Sequence, residues 1–468
     1  MEPPARPRAL GLRVSLGLLV GLVACQRAHG PTLVERFGDW PFLTPIDAPA
    51  TVALLNGGAL PSDAATCGGC HTAFFAEWST STHASAMHDL QLMAELQKST
   101  SPRWLCLNCH IPTAVQRDRL ITPSTRLVSA GDIRQIDAPP NPAHEPARVA
   151  EAITCATCHV RRDADGQGTV IVPHEGVVAP HRTRVDPAAL TNICVRCHSP
   201  GPAVISPSLF CWFETADELA AGPAAGSTCT SCHMPAAERP VAAGSPVRAT
   251  RVHGWAGGGV PKSPEGYESL LARGYTPGVE VSVSLDPLVV TLENTAGHAL
   301  PTADPERYLR VEARYEDAGG ASLGRALLRV GQRWDWGDEA AGRAPRRVKD
   351  ERLGPGETRA WRPELARPDG AVALVVELSH VRLQPAYASG MRGVKLDPEL
   401  QALWPDAAAR LPDFERHYPL GTRIYRQRLP LGPDAGPPVV VPLAELLEES
   451  RRLMERPPAE LDAVFAAP

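Results

Sequence analysis

The chain has 468 residues, room for two or three domains. Its 47 lysines and arginines against 52 aspartates and glutamates give a formal charge of −5, which disfavours nucleic acid as a partner. Forty-eight prolines and only 5% aromatic residues argue against long regular elements around an ordinary core, and for a loop-rich chain.

Residues 1–24 read as a secretory signal: Arg6, Arg8 and Arg13 precede an apolar run, 14–23, too short to span a bilayer. The run ends in Leu22-Val23-Ala24-Cys25, which resembles the lipobox of bacterial lipoproteins and implies cleavage before Cys25 and lipidation of its thiol. An ordinary signal with an incidental cysteine is the alternative. Gln26 after the cysteine points onward to the outer membrane. The expectation is an exported bacterial protein held by lipid on the periplasmic face or the outer membrane. Residues 25–60 carry Pro31, Pro41, Pro45 and Pro49 with little periodicity and read as a tether or a wrapping segment.

Between residues 67 and 233, Cys-x-x-Cys-His occurs five times: Cys67/Cys70/His71, Cys106/Cys109/His110, Cys155/Cys158/His159, Cys194/Cys197/His198 and Cys229/Cys232/His233. Chance from composition predicts roughly 0.01 copies. Disulfides and four-cysteine zinc sites also use Cys-x-x-Cys, but neither explains a histidine after every second cysteine. Two thiols at this spacing reach the two vinyl groups of one porphyrin, and the histidine falls under the iron as its proximal ligand, so five covalently attached haem c groups are expected. Few apolar residues lie between the motifs, so the porphyrins supply the core of a mainly α, loop-rich domain over 61–262. Haems tied to such short segments lie close together, as electron hopping requires.

The opening Cys67-Gly68-Gly69-Cys70-His71 with Phe75, Trp78, Ser81 and His83 resembles the multihaem cytochromes c related to the tetrahaem electron acceptor of hydroxylamine oxidoreductase. The phrases at 106–112 (CLNCHIP), 153–160 (ITCATCHV) and 229–235 (CTSCHMP) agree, and the resemblance runs from about 63 to 315. It implies that His83 is a distal ligand to another haem; a surface or helix-packing histidine is the other reading. It also points to His181, with His174 as competitor, and to His253 in its His-x-x-x-Gly phrase. His144 and His88 are weaker candidates for a fifth distal ligand. Met87 and Met234 have ligating sulfurs, although Met234 directly follows a motif histidine and reads as packing. Cys211, within Phe210-Cys211-Trp212-Phe213, reads as a buried small hydrophobe.

Past the Gly-rich 257–259 hinge the pattern changes. Val279, Val281, Val283 and Leu285 alternate with polar residues, as do Leu309, Val311, Ala313 and Tyr315 before a Gly319-Gly320 turn; a further strand passes through Val372, Leu374, Val376 and Leu378. These predict a small antiparallel β-sandwich over 277–385 and, with the haem domain, an α+β chain. The phrase at 294–302 (NTAGHALPT), with Arg307, resembles a segment of multihaem cytochromes that carry such a domain, and makes His298 a candidate ligand or else a turn residue. An extension, 386–468, contains one amphipathic helix over 442–456, with Leu443, Leu446, Leu447, Leu453 and Met454 on one face.

The function expected is an electron relay between redox partner proteins. One alternative is an oxidoreductase acting on a small nitrogen or sulfur compound at one open haem. The ammonia-forming nitrite reductases resemble the chain in haem number but use a lysine at one motif, and no Cys-x-x-Cys-Lys occurs here. Another alternative is a filament-forming cytochrome.

Overall fold

The structure is a computed structural model that describes residues 30–98, 101–200, 203–206, 209–211, 213–335, 337, 341, 343, 345–433 and 435–467. The signal segment, Cys25 and His29 lie outside the described residues, as does the side chain of Cys211, whose backbone ends the strand Leu209–Cys211.

Residues 30–60 do not form a tether. Leu33, Phe42 and Leu43 are buried with Trp104, Leu105, Leu127 and Ile133, and Ile46, Ala48 and Val52 with Ala156 and Val160. The backbone follows suit: Ile46 donates to Pro112 O at 2.7 Å and accepts from Ala114 at 2.8 Å. The prolines that obscured any periodicity terminate short pieces, such as the turn Pro41–Leu43, whose side chains still reach inward. This segment therefore wraps the second and third motifs.

The haem region is built from short helices, each carrying a motif, joined by small sheets that periodicity did not reveal. Arg126–Ser129 pairs with Asp132–Asp137, Gly168–Val172 lies between Val160–Arg162 and Thr183–Val185, and Ala236–Pro240 pairs with Val247–Arg251. Strands of three to six residues are too short for alternation to stand out.

The β part is larger than the 277–385 expected. A three-stranded sheet comprises Val279–Leu285, Leu288–Asn294 and Thr358–Trp361. A six-stranded antiparallel sheet runs in the order Arg346–Asp350, Ser322–Asp335, Tyr308–Glu316, Ala373–Val381, Gly421–Pro430, Val439–Val440. Two of its strands come from the region read as an extension. Gly421–Pro430 carries Arg423, Arg426 and Arg428, a charged pattern that hid it; Arg423 and Arg426 pair with Glu377 at 3.1 and 2.7 Å, and both also reach Glu449. The central strand Ala373–Val381 is buried at every position: Leu374, Val376 and Leu378 face the smaller sheet, while Val381 joins a second cluster. Each such aliphatic side chain contributes roughly 1.5–3 kcal/mol by leaving water.

That second cluster joins the two halves of the molecule. Met87, Leu90, Met93 and Leu96 of the haem region pack with Trp404, Phe414, Tyr418 and Leu420 from the C-terminal region. The Gly-rich 257–259 stretch is likewise no free hinge, because Tyr267, Leu270 and Tyr275 just after it are buried in the sandwich core and the Tyr267 hydroxyl donates to Gly421 O at 2.7 Å. The amphipathic helix spans Leu443–Leu453 and buries Leu446 and Leu447. No described helix is long and apolar enough to cross a membrane.

Candidate haem-binding site

Each motif sits at the end of a short helix. The helices are Ala64–Cys70, Arg103–His110, Cys155–His159, Pro187–His198 and Cys229–His233. Caps fix where several begin: Asp63 accepts from Thr66 N, Asp186 from Ala189 N and Thr228 from Ser231 N. In a helix, positions i, i+3 and i+4 share a face, so both thiols and the imidazole of a motif face one side.

Enclosure of the thiols is uneven. Eight of the motif cysteines are partly buried, whereas Cys70 and Cys232 are exposed. The helix Cys229–His233 is little more than one turn and buries none of its residues, and the Cys232 thiol lies 3.8 Å from the Ser231 hydroxyl, itself exposed. Cys232 lies on the same helix face as Cys229 and His233, so all three can reach one porphyrin.

Four of the five motif imidazoles are oriented through Nδ1. His71 reaches Val241 O at 2.7 Å, His110 reaches Ala86 O at 2.9 Å, His159 reaches Ile171 O at 3.1 Å and His233 reaches Ala256 O at 2.9 Å. A carbonyl accepts only, so Nδ1 carries the proton and Nε2 is left with a free lone pair for iron.

Four of the five motif histidines face a second histidine. Ring centroids are 6.5 Å apart for His71 and His181, 6.3 Å for His198 and His83, 6.2 Å for His159 and His253, and 6.3 Å for His233 and His298. Metal–imidazole bonds of about 2 Å on both sides separate two ring centres by roughly 6–6.5 Å. The spacing therefore fits an iron between each pair. The second histidines are also oriented by carbonyls, His253 by Arg251 O at 2.8 Å and His298 by Ala299 O at 3.0 Å. Burial holds these rings neutral, as ligation requires: His83 titrates at about 3, lowered by burial and then by His198 and His233, and His253 at about 4, lowered by burial and then by His159.

His110 differs. Among the described residues no ring contact pairs it with a second histidine. The expected candidates for a fifth partner lie elsewhere: His88 meets Trp404 edge-on at 6.5 Å, His174 is exposed with Nδ1 near Glu175 O, and the buried Nδ1 of His144 has no partner. Met87 is buried in an aliphatic cluster, and Met234 caps the end of the fifth motif helix. Near His110 instead are Asp89 and Lys262. The Lys262 ammonium contacts the Asp89 carboxylate and lies 3.3 Å from the Tyr418 hydroxyl, while Arg382 stacks over the Tyr418 ring. No sequence motif marked these residues, because they come from four distant segments.

The attachment points of different motifs adjoin. Cys67 lies beside Cys155, Cys109 beside Cys197 and Cys194 beside Cys229, and Cys158 lies within electrostatic reach of Cys197. These sulfurs become thioethers once a porphyrin is attached. The contacts order the sites as His71, His159, His198, His233, with the His110 site joined at His198. The two exposed cysteines, Cys70 and Cys232, belong to the first and last sites of that order.

The family described as cytochrome c554 and c-prime matches residues 66–131, which hold the first two motifs. Among solved structures, a penta-heme cytochrome c552 from Thermochromatium tepidum shares 19% identity with a TM-score of 0.46, covering 78% of this chain and 97% of that one. No curated protein matches the chain. The family match thus covers the first two Cys-x-x-Cys-His motifs, and the same motif occurs three times more in the chain, as haem c attachment by a multihaem cytochrome of the c type would require.

Proposed function

We propose that this is an exported pentahaem cytochrome c that relays electrons between redox partner proteins along a continuous array. Bound haem supplies an iron that accepts and returns one electron without bond making when both axial positions are filled. The chain's part is to hold the sites. His71, His110, His159, His198 and His233 are the proximal ligands; His181, His83, His253 and His298 are the distal ligands at the first, fourth, third and fifth motifs. Carbonyl partners hold most of these imidazoles, His71, His110, His159, His233, His253 and His298 among them, so little structure has to reorganise when charge changes. The observation that carries this reading is the adjoining of cysteines from different motifs, which brings attached haems close together. A reductive titration with stopped-flow reoxidation tests it: electrons introduced at one site should redistribute among all haems faster than they leave the protein. Isolated haems that exchange only with solution mediators would refute it.

Export and a lipid anchor at Cys25 belong to the same proposal. They rest on the lipobox-like segment and on c-type attachment being extracytoplasmic in bacteria.

A second reading is favoured by one observation: among the described residues, no imidazole faces His110. An exchangeable coordination position there would let a small nitrogen or sulfur compound bind, with the Lys262 ammonium nearby as a hydrogen-bond donor. Nitrite or hydroxylamine added to the oxidised protein tests it, since a spectral change at one haem supports the reading and an unchanged spectrum removes it.

A further inference from the structure

The segment 253–256 touches three haem sites within four residues. His253 faces His159, and the Ala256 carbonyl accepts from His233 Nδ1. Between them, the Trp255 ring meets His83 edge-on, centroids 4.8 Å apart, and His253 edge-on at 5.3 Å. His83 in turn faces His198. One indole therefore separates the distal imidazoles of two different sites.

The backbone is bent to put it there. Trp255 has φ +41°, a conformation that a bulky residue keeps only when its surroundings fix it. Those surroundings are visible on both sides. Gly254 lies so tightly against Arg273 that a Cβ would come within 2.7 Å of its Cγ, and Arg273 donates to Thr80 O, three residues before His83. On the other flank the His253 amide donates to Glu77 Oε2 at 2.8 Å, and Glu77 is held by Arg239. The loop is thus clamped to residues 77–80, the same helix end that presents His83. The indole fills the gap between two imidazoles whose ring planes it meets at 61° and 79°, so neither ring can rotate about its own axis without striking it.

We propose that Trp255 is a positioning residue that sets the ring planes of His83 and His253 together, and so tunes the haems of the fourth and third motifs as a pair. This rests on the assignment of both histidines as distal ligands. Low-spin iron signals in electron paramagnetic resonance report the relative orientation of axial imidazole planes, so they give a direct readout. His83→Ala and His253→Ala in the full haem-loaded chain should each abolish one low-spin signal, which identifies the two signals; if neither does, the ligand assignment fails and the role of Trp255 with it. Trp255→Leu keeps apolar volume but removes the flat ring, and should displace those two signals while leaving the others in place. Trp255→Phe should return both toward the wild-type positions. Two outcomes with the ligand assignment intact overturn the proposal: no signal moves in Trp255→Leu, or the His233 signal moves equally, which would mean that the loop has loosened as a whole through Ala256. If Trp255→Leu yields no folded protein, Trp255→Met, which also removes the flat ring, decides. Displacement of both signals then supports the proposal, and an unchanged spectrum overturns it.

Discussion

His298→Ala separates what an iron ligand does from what holds the β domain in place. His298 stands in the loop 294–302, and the loop is anchored without it. The Asn294 amide donates to His298 O, Leu353 O and Gly354 O at 2.9, 3.1 and 2.8 Å. Thr302 donates to Glu218 Oε2 at 2.6 Å and shares a hydrogen bond with Thr215 at 2.8 Å. Arg352 pairs with Glu218 where both side chains are about a tenth exposed, at 9% and 10%. Truncating His298 removes one carbonyl contact, about 1 kcal/mol, and the iron bond. Truncating Arg352 leaves the largely buried Glu218 without its counter-charge, held only by Thr302, at up to about 3–5 kcal/mol. His298→Ala should therefore turn the fifth-motif haem high-spin while proteolytic resistance of the domain junction stays near wild type. Arg352→Ala should do the reverse, lowering the unfolding midpoint and exposing the junction with the spin state unchanged at low temperature. Electron paramagnetic resonance and limited proteolysis on both variants provide the assay. Cleavage is not expected within 257–277, because Tyr267, Leu270 and Tyr275 are buried. A His298→Ala protein that keeps every low-spin signal would refute the ligand role and leave the sandwich as a docking surface for a redox partner.

Intact mass of the denatured mature protein should exceed the polypeptide by five haem c, and changing the two cysteines of any one motif to serine should remove one; a haem-free, zinc-containing product would end the account. Labelled fatty acid should enter the wild type and not Cys25→Ala, and unchanged membrane retention in that variant would point to a protein partner instead. Lys262→Met should alter the spectrum or exogenous-ligand binding of the His110 haem alone, and a wild-type response to nitrite and hydroxylamine would show that Lys262 stands clear of the iron. Trp78→Phe should cost about 1 kcal/mol, since the indole of this buried residue donates to Ile153 O at 2.8 Å, and should leave the spin states unchanged.

The five attachment motifs were legible because the chemistry requires three residues in a row along the chain. The mixed α+β character was legible too, since Val279–Leu285 alternates cleanly and the amphipathic helix near 443–453 has a sharp apolar face. The larger extent of the sheet stayed hidden, because Gly421–Pro430 satisfies its outward face with arginines paired to Glu377 and Glu449 instead of with an obvious polar-apolar alternation. The core role of residues 30–60 was obscured for a different reason: its buried side chains, Leu33, Phe42, Leu43 and Ile46, are spaced by prolines and match no regular period. Around the irons, phrase resemblance named His83, His181, His253 and His298, but which motif each one faces is a property of the fold. The surroundings of His110 were out of reach altogether. Asp89, Lys262, Arg382 and Tyr418 are separated by up to 329 positions, and nothing in their local sequence distinguishes them from structural charges.

The central claim is that four imidazole pairs bracket iron and that the His110 site stands apart. Near-infrared magnetic circular dichroism of the oxidised, fully loaded protein reads axial ligand pairs directly. The account predicts four bis-imidazole haems, matching the four facing pairs, and a fifth with different axial ligation that disappears from the spectrum when Cys106 and Cys109 are replaced by serine. Three or fewer bis-imidazole haems, or a fifth identical to the other four, would contradict it.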